Sequence, residues 1–110
     1  MKIKNPKLNK IHGEIFLQSD SLKLKLALTE ERVKHLHPEV LAHAFEFYDT
    51  INNGDKLKKS TGEIILYKWF KSIYNGKFMV VVVINKDKNR PFIVTAMVCR
   101  KKPKGEKYEN

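Results

Sequence analysis

A chain of 110 residues, 42% hydrophobic and 31% charged, has the size and balance of one ordinary globular domain. Its longest apolar run, Phe78 to Ile84, is far too short to cross a bilayer, and the basic start MKIKNPKLNK lacks the apolar core of a secretory signal, so no membrane partner is expected. The net charge of +10 is unevenly spread, with +4 over residues 1–28, −2 over 29–63 and +8 over 64–110. A field so divided favours a polyanionic partner, nucleic acid first. The single cysteine, Cys99, allows no internal disulfide and fits a cytoplasmic setting.

In chain order, residues 1–12 read as a basic arm, mobile or loosely docked, and residues 13–110 as a single domain. Glu14 to Gln18 is a short strand. Leu22, Leu24, Leu26 and Leu28 alternate with Lys23, Lys25 and Ala27, the period of a strand with one wet face. Thr29 is a good N-cap, and Glu30 and Glu31 suit the positive end of a short helix reaching about Leu36. His37-Pro38 restarts the helix, and Val40, Leu41, Ala44, Phe45, Phe47, Tyr48 and Ile51 carry it at helical spacing to the stop at Asn52-Asn53-Gly54. Lys56, Lys58 and Lys59 then belong to a basic loop. Glu63 to about Ile73, Lys77 to Asn85 and Phe92 to about Arg100 form an antiparallel meander, with a two-residue Asn75-Gly76 hairpin turn and a polar NKDKNRP loop. The fold class is therefore α+β: an N-terminal strand and two helices, short then long after a proline kink, packed on the meander. The Val-rich middle strand is apolar on both faces and must be covered on both. Helices can cover one face, and the other needs the N-terminal segment or a second copy, which leaves a homodimer open.

Candidate chemistry lies in three places. His35, His37 and His43 fall within nine residues, but the metal-ligand spacings of HExxH and paired cysteines are absent, so no metal or other cofactor is expected. His35 and His37 suit proton transfer near neutral pH, and equally suit a helix C-terminus and a cap. Thr95 is either an ordinary strand residue or a hydroxyl donor to a phosphate oxygen. Arg100, Lys101, Lys102 and Lys104 are either a solvated tail or phosphate contacts. Tyr67, Trp69 and Tyr74 interleave with Lys68 and Lys71, a pattern able to stack bases and hold a backbone, although plain packing accounts better for Trp69.

The order LTEERVKHLHPEV, a helix, ILYKWF, KFMVVVVI and FIVTAMVCRKKPKGE resembles the phage- and toxin-associated RNases of the barnase–EndoU–colicin–RelE superfamily, over about Leu26 to Lys107. The resemblance implies a helical N-terminal half on an antiparallel sheet and metal-independent cleavage of RNA by a ribose 2′-hydroxyl. The histidine after the ER pair falls on His35 and that of the HPE motif on His37. The hydroxyl of the TA strand falls on Thr95, and the basic residue closing that strand on Arg100. Only Leu36 separates the two histidines. Thr95 and Arg100 are five apart, so a straight strand would point them to opposite faces unless a bulge or the strand's end intervenes.

These readings converge on a ribonuclease with RNA as partner, and a toxin-type effector would also have an inhibitor protein. His35 or His37 would be base or acid, Thr95 and Arg100 would bind the phosphate, and Tyr67 would assist proton transfer or stacking. Lys68, Lys71, Lys101, Lys102 and Lys104 would hold the RNA backbone. The alternatives are a nucleic-acid-binding protein without catalysis and a dimeric structural or assembly protein.

Overall fold

The computed structural model describes residues 7–85 and 91–108. Most of the NKDKNRP loop and the first six residues of the arm lie outside them.

Glu14–Ser19 (β1) and Leu24–Thr29 (β2) pair antiparallel. The Leu–Lys alternation of β2 does what its period implies: Leu26 and Leu28 are buried and Lys25 is exposed. Thr29 caps α1 (Glu30–Lys34), its hydroxyl accepting from the Arg32 N–H at 3.2 Å. At the same corner the Gly13 N–H donates to Glu30 Oε1 at 3.0 Å. That backbone bond holds the Glu30 pKa below its usual value.

Pro38 opens α2 (Pro38–Ala42), with His37 as its N-cap. The single long helix expected from there is broken at His43, where φ is −125° and ψ is 53°, and α3 (Ala44–Asn53) follows. No glycine or proline marks the break. The His43 ring meets Tyr74 edge-on, 5.3 Å between centroids, so the deviation goes with tertiary contacts that helical periodicity cannot show. Gly54 stops α3 through its size: an added Cβ would stand 2.5 Å from the Thr50 carbonyl oxygen.

The expected basic loop is instead a strand, β3 (Asp55–Lys58), paired with β4 (Ile64–Phe70). β5 (Lys77–Ile84) and β6 (Phe92–Cys99) complete the meander. Phe70 pairs with Lys77, so residues 71–76 form a longer turn than the two-residue hairpin expected. Tyr74, Asn75 and Gly76 have φ of 46°, 64° and 126°, and the Gly76 N–H donates to the Ile73 carbonyl at 2.8 Å. The fully buried Ile73 draws that segment inward and moves the tight turn one residue earlier.

A last short strand, β7 (Glu106–Lys107), completes a mixed sheet ordered β1-β2-β6-β5-β4-β3-β7, in which β2 meets β6 in parallel at Ala27 and Phe92. The fold is α+β. α3 packs on β1, β4 and β5, while α1 and α2 lie along β2 and β6. Phe47, Ile51, Leu66, Met79, Val81, Val83 and Ile93 fill the core between the two layers. Leu8 and Ile11 join it, so residues 7–12 are the docked alternative of the arm, held by buried side chains.

Candidate nucleic-acid interface

Residues directly opposite in an antiparallel ladder share a face. Val81, opposite Leu66 and Ala96, looks toward the helices. The alternate rows look away: Trp69–Phe78–Cys99, Tyr67–Val80–Met97 and Ile65–Val82–Thr95. They form a second apolar cluster around Ile65, Tyr67, Val80 and Val82, flanked by Leu57, Phe78, Val94, Met97 and Cys99. No helix residue belongs to this cluster among the described residues. The expectation that something must cover the second face is met only in part, and Trp69 at its end is 52% exposed. Trp69 is thus an open aromatic surface laid against the Gly76 turn, where an added Cβ would stand 2.6 Å from its ring.

Thr95 reaches this face through a bulge. Val83 pairs with Ile93 but Val82 pairs with Thr95, which leaves Val94 as the extra residue. Continued without the bulge, the register from Ile93 would set Thr95 opposite Val81, in the core beneath the helices. The burial pattern records the same slip: Ile93 and Ala96 are both buried, three apart instead of two or four. Beyond the bulge the alternation is regular, so Thr95, Met97 and Cys99 share the open face. The bulge precedes Thr95 and therefore does not bring Arg100 beside it. Arg100 lies at the exposed bend where β6 ends.

The basic tail then crosses the sheet. Cys99 ends β6, yet β7 pairs with β3, on the far side of β5 and β4. The span is about 19 Å from four strand spacings, within the roughly 24 Å reach of the extended chain from Cys99 to Glu106. Two contacts mark the route. The Lys102 ammonium sits over the Tyr67 ring, 5.7 Å from its centroid. Gly105 lies so close to β3 that an added Cβ would stand 3.2 Å from Leu57 Cβ and 3.1 Å from the Lys58 carbonyl oxygen. Residues 100–105 are therefore a basic strap on the helix-free side, not a free tail. Between it and β3 lies a groove of about 510 Å³, lined by Gly54–Leu57, Tyr67, Lys102, Gly105, Lys107 and Tyr108.

The remaining candidates divide clearly. Lys68 sits opposite Met79, a core residue, and so faces α3, where its ammonium binds Asp49 at 2.7 Å. It does not belong with Tyr67, because neighbours on a strand point to opposite faces. Burial of Asp49 opposes its ionisation, but the Lys68 and Asn53 hydrogen bonds and the Lys68 charge overcome this and lower its pKa. Lys71 is exposed in the 71–76 turn, and Lys101 and Lys104 are exposed on the strap. His35 ends α1 with its ring exposed and its Nε2 3.1 Å from Glu31 Oε2. His37 is exposed at the cap of α2 and makes no capping hydrogen bond. Among the described residues no hydrogen bond joins either histidine to Tyr67, Thr95 or Arg100. Burial, and then the charge of Glu39 on α2, raise the Cys99 thiol pKa, so this thiol is a poor nucleophile. Among the described residues no group of three His, Cys, Asp or Glu side chains could hold a metal ion, and no helix is long and apolar enough to cross a membrane.

Sequence reasoning missed Phe78, Met97 and Lys107 as members of this surface. Phe78 was legible as the alternate neighbour of Val80. Met97 depended on the bulge, and Lys107 on a two-residue strand that leaves no periodic signal. No family model, curated protein or solved structure matches the chain, so the use of this face has to be read from its own chemistry.

Proposed function

We propose that the protein is a metal-independent ribonuclease that holds single-stranded RNA on the helix-free face of its sheet. The observation that carries this reading is the Val94 bulge, which turns the Thr95 hydroxyl out of the core onto the face that also bears Tyr67 and the basic strap. An exposed indole offers a stacking surface, and Arg100, Lys101, Lys102 and Lys104 offer charge for the backbone. In the reaction, the ribose 2′-oxygen bonds to the adjacent phosphorus as the bond to the 5′-oxygen breaks. A base takes the 2′-hydroxyl proton, and an acid protonates the leaving oxygen, leaving a 2′,3′-cyclic phosphate and a 5′-hydroxyl. Thr95 would donate to a non-bridging oxygen as its charge grows, with Arg100, beyond it at the end of β6, adding positive field. The proton carrier on the face would be Tyr67. His35 and His37 stand on α1 and α2, which pack on the opposite side of the sheet, and would have to reach the phosphate around β6.

A second reading, RNA binding without cleavage, is favoured by the histidines themselves. His35 is engaged with Glu31, and neither ring bonds to Thr95 or Tyr67. Incubating the purified protein with mixed RNA in EDTA and mapping the product ends separates the two. Cyclic phosphates are the outcome for the nuclease. Intact RNA that is nevertheless bound would leave only the second reading.

A further inference from the structure

The groove between β3 and the strap has a composition that general phosphate binding does not need. Its volume of about 510 Å³ falls within the roughly 300–1,000 Å³ of small-molecule clefts. On the helix-free side its lining sets two lysines, Lys102 and Lys107, against one carboxylate, Asp55. The ring on that side is Tyr67, with the Lys102 ammonium over it at 5.7 Å. Lys56, opposite Leu66, and Tyr108, packed on the core, pair at 5.9 Å on the helix side of the same sheet edge. Lys56 is also tied to the Ser21 carbonyl at 2.6 Å. Lys102 and Lys107 make no ion pair among the described residues. A place with net positive charge and an aromatic ring suits a ligand that joins an anion to a flat ring.

We propose that this groove is a nucleotide subsite, taking one phosphate and its attached base from the RNA that lies on the sheet face. This rests on the RNA reading above. Tyr67 stands in the row next to that of Thr95 and two strands away from it, so the groove lies to one side of the Thr95 hydroxyl and not beneath it. Its occupant is therefore a nucleotide flanking the cleaved linkage, and the groove sets which sequence is held, not how the bond breaks. Lys102 now covers the Tyr67 ring. A phosphate drawing that ammonium outward frees the ring for the base, so the strap opens as the nucleotide enters. Lys107, projecting from β7 opposite Leu57, meets the phosphate from the far wall.

The test follows backbone amide shifts of the intact protein during separate titrations with nucleoside monophosphates, inorganic phosphate and a short single-stranded RNA. The Lys107→Glu variant is run beside the wild type. Lys107 is exposed, so the variant should fold. Monophosphates should shift the amides of Asp55, Leu57, Tyr67, Gly105 and Lys107 saturably, in roughly the millimolar range expected of so small a ligand. Inorganic phosphate should bind more weakly. Lys107→Glu should lose about tenfold in affinity for both nucleotide and RNA, the scale of one charge-assisted contact. Silent groove amides under monophosphate, while RNA moves Trp69, Phe78 and Met97, would overturn the subsite and leave the RNA reading standing. Phosphate binding as tightly as nucleotide would remove the base from the proposal. If Lys107→Glu loses monophosphate but keeps its RNA affinity, the groove serves free nucleotides and the proposed RNA contact is wrong. If neither ligand moves any amide, both readings fall.

Discussion

The two faces of the central strands are built from the same residue types and have different fates. On the helix side, Leu66, Met79, Val81 and Val83 are completely buried beneath Phe47 and Ile51 of α3. On the other side, burial falls away from Ile65 at 4% exposed, through Val82 at 9%, to Trp69 at 52%. The helix side closes with packed apolar groups. Among the described residues the other is crossed only by a basic strap, and at its rim it keeps an exposed indole, a hydroxyl and exposed cations. Apolar alternation shows that a strand is central. What lies over each face is decided elsewhere in the chain.

Substitutions on the two faces should separate stability from binding. The largest effect is expected from Phe47→Ala, which empties the middle of the closed face. It should cost about 3–5 kcal/mol of unfolding free energy by urea denaturation. Trp69→Ala on the open face should instead cost about 1–3 kcal/mol of affinity for single-stranded RNA by fluorescence anisotropy, with less than about 1 kcal/mol lost from folding. A large loss of stability with RNA affinity intact would make Trp69 a packing residue after all.

The strap should show itself through salt. For a single strand, log affinity falls with log salt by about 0.7 for each phosphate neutralised. Changing Lys101, Lys102 and Lys104 together to Ala should flatten that slope by up to about 2 units. An unchanged slope would mean that the strap carries no phosphate contact.

The smallest effect belongs to the helix side. The Asp49 pKa is lowered in the folded protein from an ordinary value of 3.8. Its pairing with Lys68 therefore adds stability that is present above that value and is lost as pH falls through the lowered folded pKa. Asp49→Asn should be less stable than wild type at neutral pH, and the gap should narrow as the pH falls below 3.8. RNA binding should not change, because this pair stands on the closed face. A gap that widened in acid would reverse the assignment.

Much of this architecture was readable from local chemistry. The Leu–Lys alternation of β2, the Thr29 cap, the proline at the start of α2 and the Val-rich strand each carry their own signal. The parts that were not readable depend on partners distant in sequence. β3 is a strand because β4 pairs with it, and nothing in Asp55–Lys58 distinguishes it from a basic loop. The break at His43 goes with Tyr74, thirty-one positions on. The site was legible in its residue types and not in its geometry. Thr95 and Tyr67 could be named as candidates, but the face they share follows from a one-residue bulge. Lys68 looked like a neighbour of Tyr67 in sequence and points away from it in space. The histidines stand out by motif, and the pairing of His35 with Glu31 follows from their four-residue spacing on the short helix, an ordinary surface contact that the motif alone does not show.

The most direct test of the open face as a catalytic surface is the turnover of Thr95→Val on single-stranded RNA in EDTA, set beside its urea denaturation curve. The substitution keeps strand shape and β preference and removes one donor at a half-buried position. The account predicts an unfolding free energy within about 1 kcal/mol of wild type and turnover lower by roughly 10²–10³-fold. Full activity in the variant, with any change confined to stability, would contradict it and return Thr95 to the role of an ordinary strand residue.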